Sequence, residues 1–177
     1  MGSDKESAFN TTVITTRDDR RLLIREYQFE DFQALVEMYK GFSPKRVAQG
    51  LPPPDVPRIA HWLDQLQHKS RSLLGWEGAR VIGHVILCPI SDAFIEYTIF
   101  IHQDYRSVGL GTAMTRLALA FVSDMGFAEV FLSTELSNYP ALALYRKMGF
   151  RTLSVCGEEC EMKISVISAE NTLPHAA

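Results

Sequence analysis

The spacing of apolar positions changes several times along the chain, and each change predicts an element. Residues 20–27 (RRLLIREY) form a short apolar run bounded by charge, the pattern of a strand. Phe32, Leu35, Val36 and Tyr39 then recur at helical spacing within residues 29–42, and Gly41 with Ser43-Pro44 ends that helix. Residues 50–57 (GLPPPDVP) hold four prolines in eight positions. Such a stretch is stiff and extended, and too little chain precedes it to make it a domain boundary. Asp55 predicts an N-cap and Pro57 a first-turn proline for the next helix, which carries Ile59, Trp62, Leu63 and Leu66. Residues 70–76 and 79–88 read as strands joined at Glu77-Gly78. Residues 94–101 (FIEYTIFI) are the most β-prone stretch and predict a central strand buried on both faces.

A long helix follows over residues 110–125, with Leu110, Met114, Leu117, Ala118, Phe121, Val122 and Met125 on one stripe and Gly126 as its stop. Residues 129–134 predict a strand. Residues 138–148 predict a helix, with Asn138 as candidate N-cap and Pro140 in the first turn. Residues 150–155 and 160–167 are the last strands. The order β-α-α-β-β-β-α-β-α-β-β has no internal repeat. It predicts an α/β (α+β) fold, a central mixed and mostly antiparallel sheet flanked by helices. Residues 19–168 are read as this one domain. Residues 1–18 read as a flexible lead-in or a poorly specified first strand, and residues 169–177 as a frayed tail.

Composition narrows the classes. The 177 residues are 46% hydrophobic and 22% charged, with a formal net charge of −3. This is an ordinary globular mixture and carries no basic footprint for nucleic acid. The longest apolar runs, such as LALAFV at residues 117–122, fall far short of a membrane span. The polar start, MGSDKESAFN, lacks the apolar core of a secretory signal. A soluble cytoplasmic protein without nucleic-acid or membrane partners is the expectation. Cys88, Cys156 and Cys160 fit no disulfide framework or zinc spacing and read as buried free thiols. His61, His68, His84, His102 and His175 have no metal-ligand spacing, so no metal is expected.

Residues 105–112 (YRSVGLGT), between the strongest strand and the strongest helix, are the most informative segment. Gly109 and Gly111 let the backbone approach a ligand closely, and the following helix aims unpaired N–H groups and its positive dipole end at that spot. Together these make an anion site suited to phosphate. A dinucleotide fingerprint fails because Met114 stands where its third glycine belongs, and no Walker A string exists. Taken alone, the glycines would also serve a tight strand-to-helix turn.

The spacing Arg106-x-x-Gly109-x-Gly111 resembles the coenzyme A pyrophosphate loop of the GNAT superfamily of N-acetyltransferases. The family's second signature, Asn-x-x-Ala-x-x-Leu-Tyr-x-x-x-Gly-Phe, stands complete as Asn138, Ala141, Leu144, Tyr145, Gly149 and Phe150. The resemblance covers roughly residues 20–167. It implies acetyl-CoA as cosubstrate, a primary amine as acceptor and, at family level, a homodimer. It implies pyrophosphate contacts from Arg106, Ser107, Val108, Gly109, Leu110, Gly111 and Thr112, and pantetheine contacts from the backbone of Ile99, Phe100 and Ile101. Asn138 would either hydrogen-bond the pantetheine or cap its helix.

Acetyl transfer requires a deprotonated amine, a polarised thioester carbonyl and a leaving thiolate. A lysine amine, with a pKa near 10.4, is almost wholly protonated at neutral pH, so a base is useful. Glu96 is the only charged residue within 94–101 and by alternation shares a face with Phe94, Thr98 and Phe100. Partial desolvation there would raise its pKa toward a base's range, and some bacterial GNAT protein-lysine acetyltransferases carry a Glu at this strand position. A bulge turning Glu96 to solvent is the competing reading. Tyr145, by the resemblance, lies near the departing sulfur as an acid; simple packing on its helix competes. His102 is a weaker second candidate for proton relay, and His84 reads as a core residue. Acceptor contacts are expected from residues 39–58 and the last strands. A protein lysine or N-terminus, a small amine, and a non-catalytic acyl-CoA-binding regulatory module all remain open.

Overall fold

The alternating and continuous apolar runs pair into one sheet in the computed structural model, which describes residues 7–45 and 50–166. Its strands are β1 (Thr12–Thr15), β2 (Arg21–Glu26), β3 (Arg71–Glu77), β4 (Arg80–Pro89), β5 (Phe94–Ile101), β6 (Glu129–Glu135), β7 (Arg151–Cys156) and β8 (Glu159–Ser165). The helices are α1 (Phe32–Gly41), α2 (Val56–Gln67), α3 (Leu110–Asp124) and α4 (Tyr139–Met148). The spatial order is β1-β2-β3-β4-β5-β6-β8-β7, antiparallel throughout except for the parallel β5–β6 pair. The central β4 is buried continuously from Val81 to Leu87, because helices cover both faces of the sheet there.

Two apolar cores result. One packs α3 and α4 on Ile24, Leu73, Val85, Tyr97, Val130 and Met162; the other packs α1 and α2 on Leu74, Trp76, Ile86 and Phe100. Capping explains where the helices start. Asp55 accepts a hydrogen bond from Arg58 N at 3.0 Å, as its N-cap position implies, and Asn138 Oδ1 accepts from Ala141 N at 3.3 Å. Gly149 closes α4 at φ 97°, a backbone angle that a residue with a Cβ rarely adopts.

β1 falls in the stretch read as a lead-in or poorly specified strand. It pairs with β2 across a polar turn in which Arg20 N donates to Thr16 Oγ1 at 3.1 Å. Two expectations are corrected. The strand at 94–101 is not buried on both faces along its length: Phe94 and Glu96 are exposed, and Thr98, Ile99 and Ile101 are half-buried. Cys156 is exposed at the end of the outermost strand and Cys88 half-buried, so only Cys160 is a buried thiol. Residues 1–6 of the lead-in, 46–49 of the expected acceptor segment, residues 167–168 at the end of the expected domain and the 169–177 tail lie outside the described residues. Among the described residues no helix is long and apolar enough to cross a membrane.

Candidate active site

β5 and β6 begin as partners and then part. Their pairing runs only from Phe94↔Glu129 to Glu96↔Phe131, while β5 continues along β4 to Ile101 and β6 continues along β8 to Glu135. From Tyr97 onward the β6-facing edge of β5 therefore has no strand beside it. A cavity of about 560 Å³ fills the gap. Of the expected site residues, it is lined by Ile99, Phe100, Ile101, Arg106, Ser107, Gly109, Gly111, Thr112, Asn138 and Tyr145.

The glycine loop forms one end. Ser107 (φ 63°) and Gly109 (φ 96°) both adopt left-handed backbone angles around Val108, a geometry that turns successive N–H groups to one side. Ala113 N is the first amide to bond back into α3, to Gly109 O at 3.0 Å, so the N–H groups of Leu110, Gly111 and Thr112 precede the helical ladder. An added Cβ at Gly111 would sit 3.6 Å from Leu144 and 3.7 Å from Ile101, both cavity walls, so a larger side chain there would occupy the cradle. This loop suits a pyrophosphate. Val108 and Leu110 do not line the cavity. Leu110 is buried in the α3 core, and Val108 O accepts from Arg17 N at 3.0 Å. These two have only backbone to offer an anion.

A buried relay fixes the loop's helix to β5. Thr115 Oγ1 donates to Gly111 O at 2.7 Å and so accepts from Tyr97 OH, also at 2.7 Å. Arg106 is partly committed to structure: its Nε donates to Ile101 O at 3.1 Å and its Nη2 to Ser43 O at 2.9 Å.

Tyr145 lies on the α4 side of the cavity, its ring edge-on to Tyr97 with centroids 6.2 Å apart. Burial pushes its phenol far above the usual range, so it keeps its proton at any working pH. Its hydroxyl has no hydrogen bond among the described residues. Asn138 caps α4 through Oδ1 and also lines the cavity.

Glu96 departs from expectation. It shares the expected sheet face, but it is exposed and does not line the cavity. The cause is where the strands part: Glu96 still faces Phe131 in register, one residue before the gap opens. His102 is buried but lies outside the cavity, with its ring against Arg80 Nη2 at 2.9 Å and Asp104 N at 3.3 Å; burial lowers its pKa. His84 is a core residue, held between Tyr39 OH at 2.8 Å and Ser72 Oγ at 2.9 Å.

Among the cavity residues that escape a sequence reading are Arg17, Ser133 and Glu135. Arg17 comes from the β1–β2 turn and reaches within about 4 Å of the position a Gly109 Cβ would take. Its only signal was a charged residue in a polar stretch. Ser133 and Glu135 follow from alternation along β6 once its partner is known.

Comparison with known proteins agrees with this geometry. Rat N-acetyltransferase family 8 member 3 is 35% identical over 103 residues, 55% of this chain and 43% of that protein. Mycothiol acetyltransferase of Corynebacterium glutamicum is 34% identical over 82 residues, 46% of this chain and 28% of that protein. The chain thus spans less than half the length of these curated relatives. The crystal structure of the GNAT domain of S. lividans PAT superimposes with a TM-score of 0.76 at 14% identity, covering 88% of this chain and 96% of that one. A PaiA N-acetyltransferase from Thermoplasma acidophilum, solved in complex with coenzyme A, reaches 0.66 at 18% identity over 81% of this chain and 98% of its own. At these identities the likeness is one of fold. The acetyltransferase (GNAT) family model matches residues 32–150, a span holding both the glycine loop and the Asn138-to-Phe150 signature, and the chain belongs to that family.

Proposed function

We propose that the chain transfers an acetyl group from acetyl-CoA to a primary amine, a protein lysine or an N-terminus, by direct attack. The observation that carries this reading is the gap between β5 and β6, bounded at one end by the glycine loop and on one wall by Tyr145. Pyrophosphate binds the N–H groups of Ser107, Gly109, Gly111 and Thr112, and the pantetheine arm lies along the unpaired edge of β5, taking the place of a strand. The amine nitrogen attacks the thioester carbonyl carbon, the carbon–sulfur bond breaks, and Tyr145 gives its proton to the departing sulfur. Glu96, on the open face, takes the amine's proton through a water rather than by contact, which suits its exposure. The raised pKa of Tyr145 supports the acid role, since only a protonated phenol can donate.

A coenzyme A release assay over lysine peptides, N-terminal peptides and small amines tests the reading. Amine-dependent release is expected, fastest with a peptide. Tight acetyl-CoA binding with no release on any amine would overturn it in favour of a binding module.

A further inference from the structure

We infer that Glu135 is the residue that receives the acceptor's ammonium group, and so restricts acceptors to cations approaching from one face of the sheet. The inference rests on the acetyl-transfer reading. Pairing of Glu96 with Phe131 puts the odd residues of β6 and the even residues of β5 on the same face. Phe131, Ser133 and Glu135 therefore share the face of Thr98 and Phe100. Val130 and Leu132 point the other way, into the core beneath α3 and α4. The cavity thus has two sides: one formed by the glycine loop and α4, the other by Thr98, Phe100, Ser133, Glu135 and, from the α1–α2 connection, Phe42 and Pro44.

The cationic side chains lining the cavity are Arg17, at the loop end, and Arg106, which starts from the loop but carries its guanidinium across to Ser43 O and the Phe42 ring. Glu135 is the one carboxylate among the described lining residues. Its carboxylate accepts a hydrogen bond from Ser137 Oγ at 3.2 Å, the one side-chain hydrogen bond it makes among the described residues, which leaves lone pairs for a ligand. Two residues before it, Ser133 Oγ is shielded from solvent and has no hydrogen-bond partner among the described residues, although it belongs to a cavity wall. An unsatisfied buried hydroxyl beside a half-buried carboxylate matches an ammonium, which offers three donors. Glu135 holds the charged amine until its proton leaves by the Glu96 water; it is a specificity residue, and the transfer step does not pass through it.

Steady-state kinetics of Glu135→Gln with a lysine peptide tests this. The expected result is a rise of about tenfold in KM for the peptide, the scale of one lost charged partner. The turnover number and the KM for acetyl-CoA should stay within about twofold of wild type on the same reasoning, and Glu135→Asp should recover part of the loss. Unchanged acetyl-CoA KM also reports that the variant is folded. An unaltered peptide KM overturns the inference, as does an equal rise in acetyl-CoA KM, which would put Glu135 on the coenzyme side. If wild type transfers to no amine, the proposed function has failed instead. Calorimetric binding of the same peptide to the coenzyme A complex then decides Glu135: binding weakened by Glu135→Gln sustains its role, and equal binding or none removes it.

Discussion

Burial sets the chemistry open to single residues. Tyr145 keeps its proton because its phenolate would lack solvation, so Tyr145→Phe removes a donor without changing the packing. The turnover number is expected to fall by about 10²–10³ with the KM for acetyl-CoA little changed, as for loss of a positioned acid. Single-turnover measurement of the chemical step checks it. Glu96→Gln should lower turnover at neutral pH and recover at high pH, where the free amine arrives already deprotonated. His84 illustrates the opposite sign. Burial between Tyr39 and Ser72 pulls its pKa down to about 3 from 6.5. Between those values the unfolded chain binds a proton that the native chain refuses, so native stability falls as pH falls. The slope contributed is at most about 1.4 kcal/mol per pH unit. Urea unfolding from pH 7.5 to 4.5 should show wild type losing its advantage over His84→Gln on acidification. A difference constant across that range would contradict the assignment.

Among elements, α3 sits close on the sheet. An added Cβ at Gly83 would lie 2.7 Å from Met114 Sδ and 3.1 Å from Ile101 Cδ1; one at Gly75 would lie 3.1 Å from the same sulfur. The two glycines thus set how closely the loop's helix approaches β3 and β4. Gly83→Val overpacks this contact and is expected to cost about 1–3 kcal/mol, read as a lower thermal midpoint. Because α3 carries the glycine loop, acetyl-CoA affinity should fall in the same variant. The loop and α4 signatures were legible in the sequence because each is local: a glycine at a positive φ, an N-cap and a helix stop lie within a few residues of each other. β1 was hardly legible, since Thr12–Thr15 gains its order from pairing with β2 and not from its own pattern.

At the scale of the whole molecule, the α1–α2 connection and the glycine loop are tied together. Gln103 Nε2 donates to Gly41 O at 2.9 Å, Ser43 N donates to Gln103 Oε1 at 3.0 Å, and Arg106 bonds Ser43 O and lies over the Phe42 ring. The two sides of the cavity are therefore mechanically linked. Arg106→Ala is expected to raise KM for coenzyme and acceptor together by about tenfold, the equivalent of one hydrogen bond to a charged group. Faster amide exchange in residues 42–45 should accompany it. A rise confined to acetyl-CoA would make Arg106 a phosphate contact alone.

The sequence by itself determined the elements, the glycine loop and the Asn138–Tyr145 helix, because these follow from short-range periodicity, capping and backbone angles. It also put Glu96 on the correct strand face. Only the tertiary structure decided what that face meets. Whether a side chain on β5 is walled in depends on where β6 stops pairing, and that point is set by β6's competing partnership with β8. The same parting opens the cavity one residue beyond Glu96 and brings Glu135, 39 positions away in the chain, onto the cavity face it shares with Thr98 and Phe100. Arg17 reaches the loop for a similar reason: a turn between two outer strands carries it there. Contacts of this kind arise from register between distant strands, which no local pattern of residues encodes.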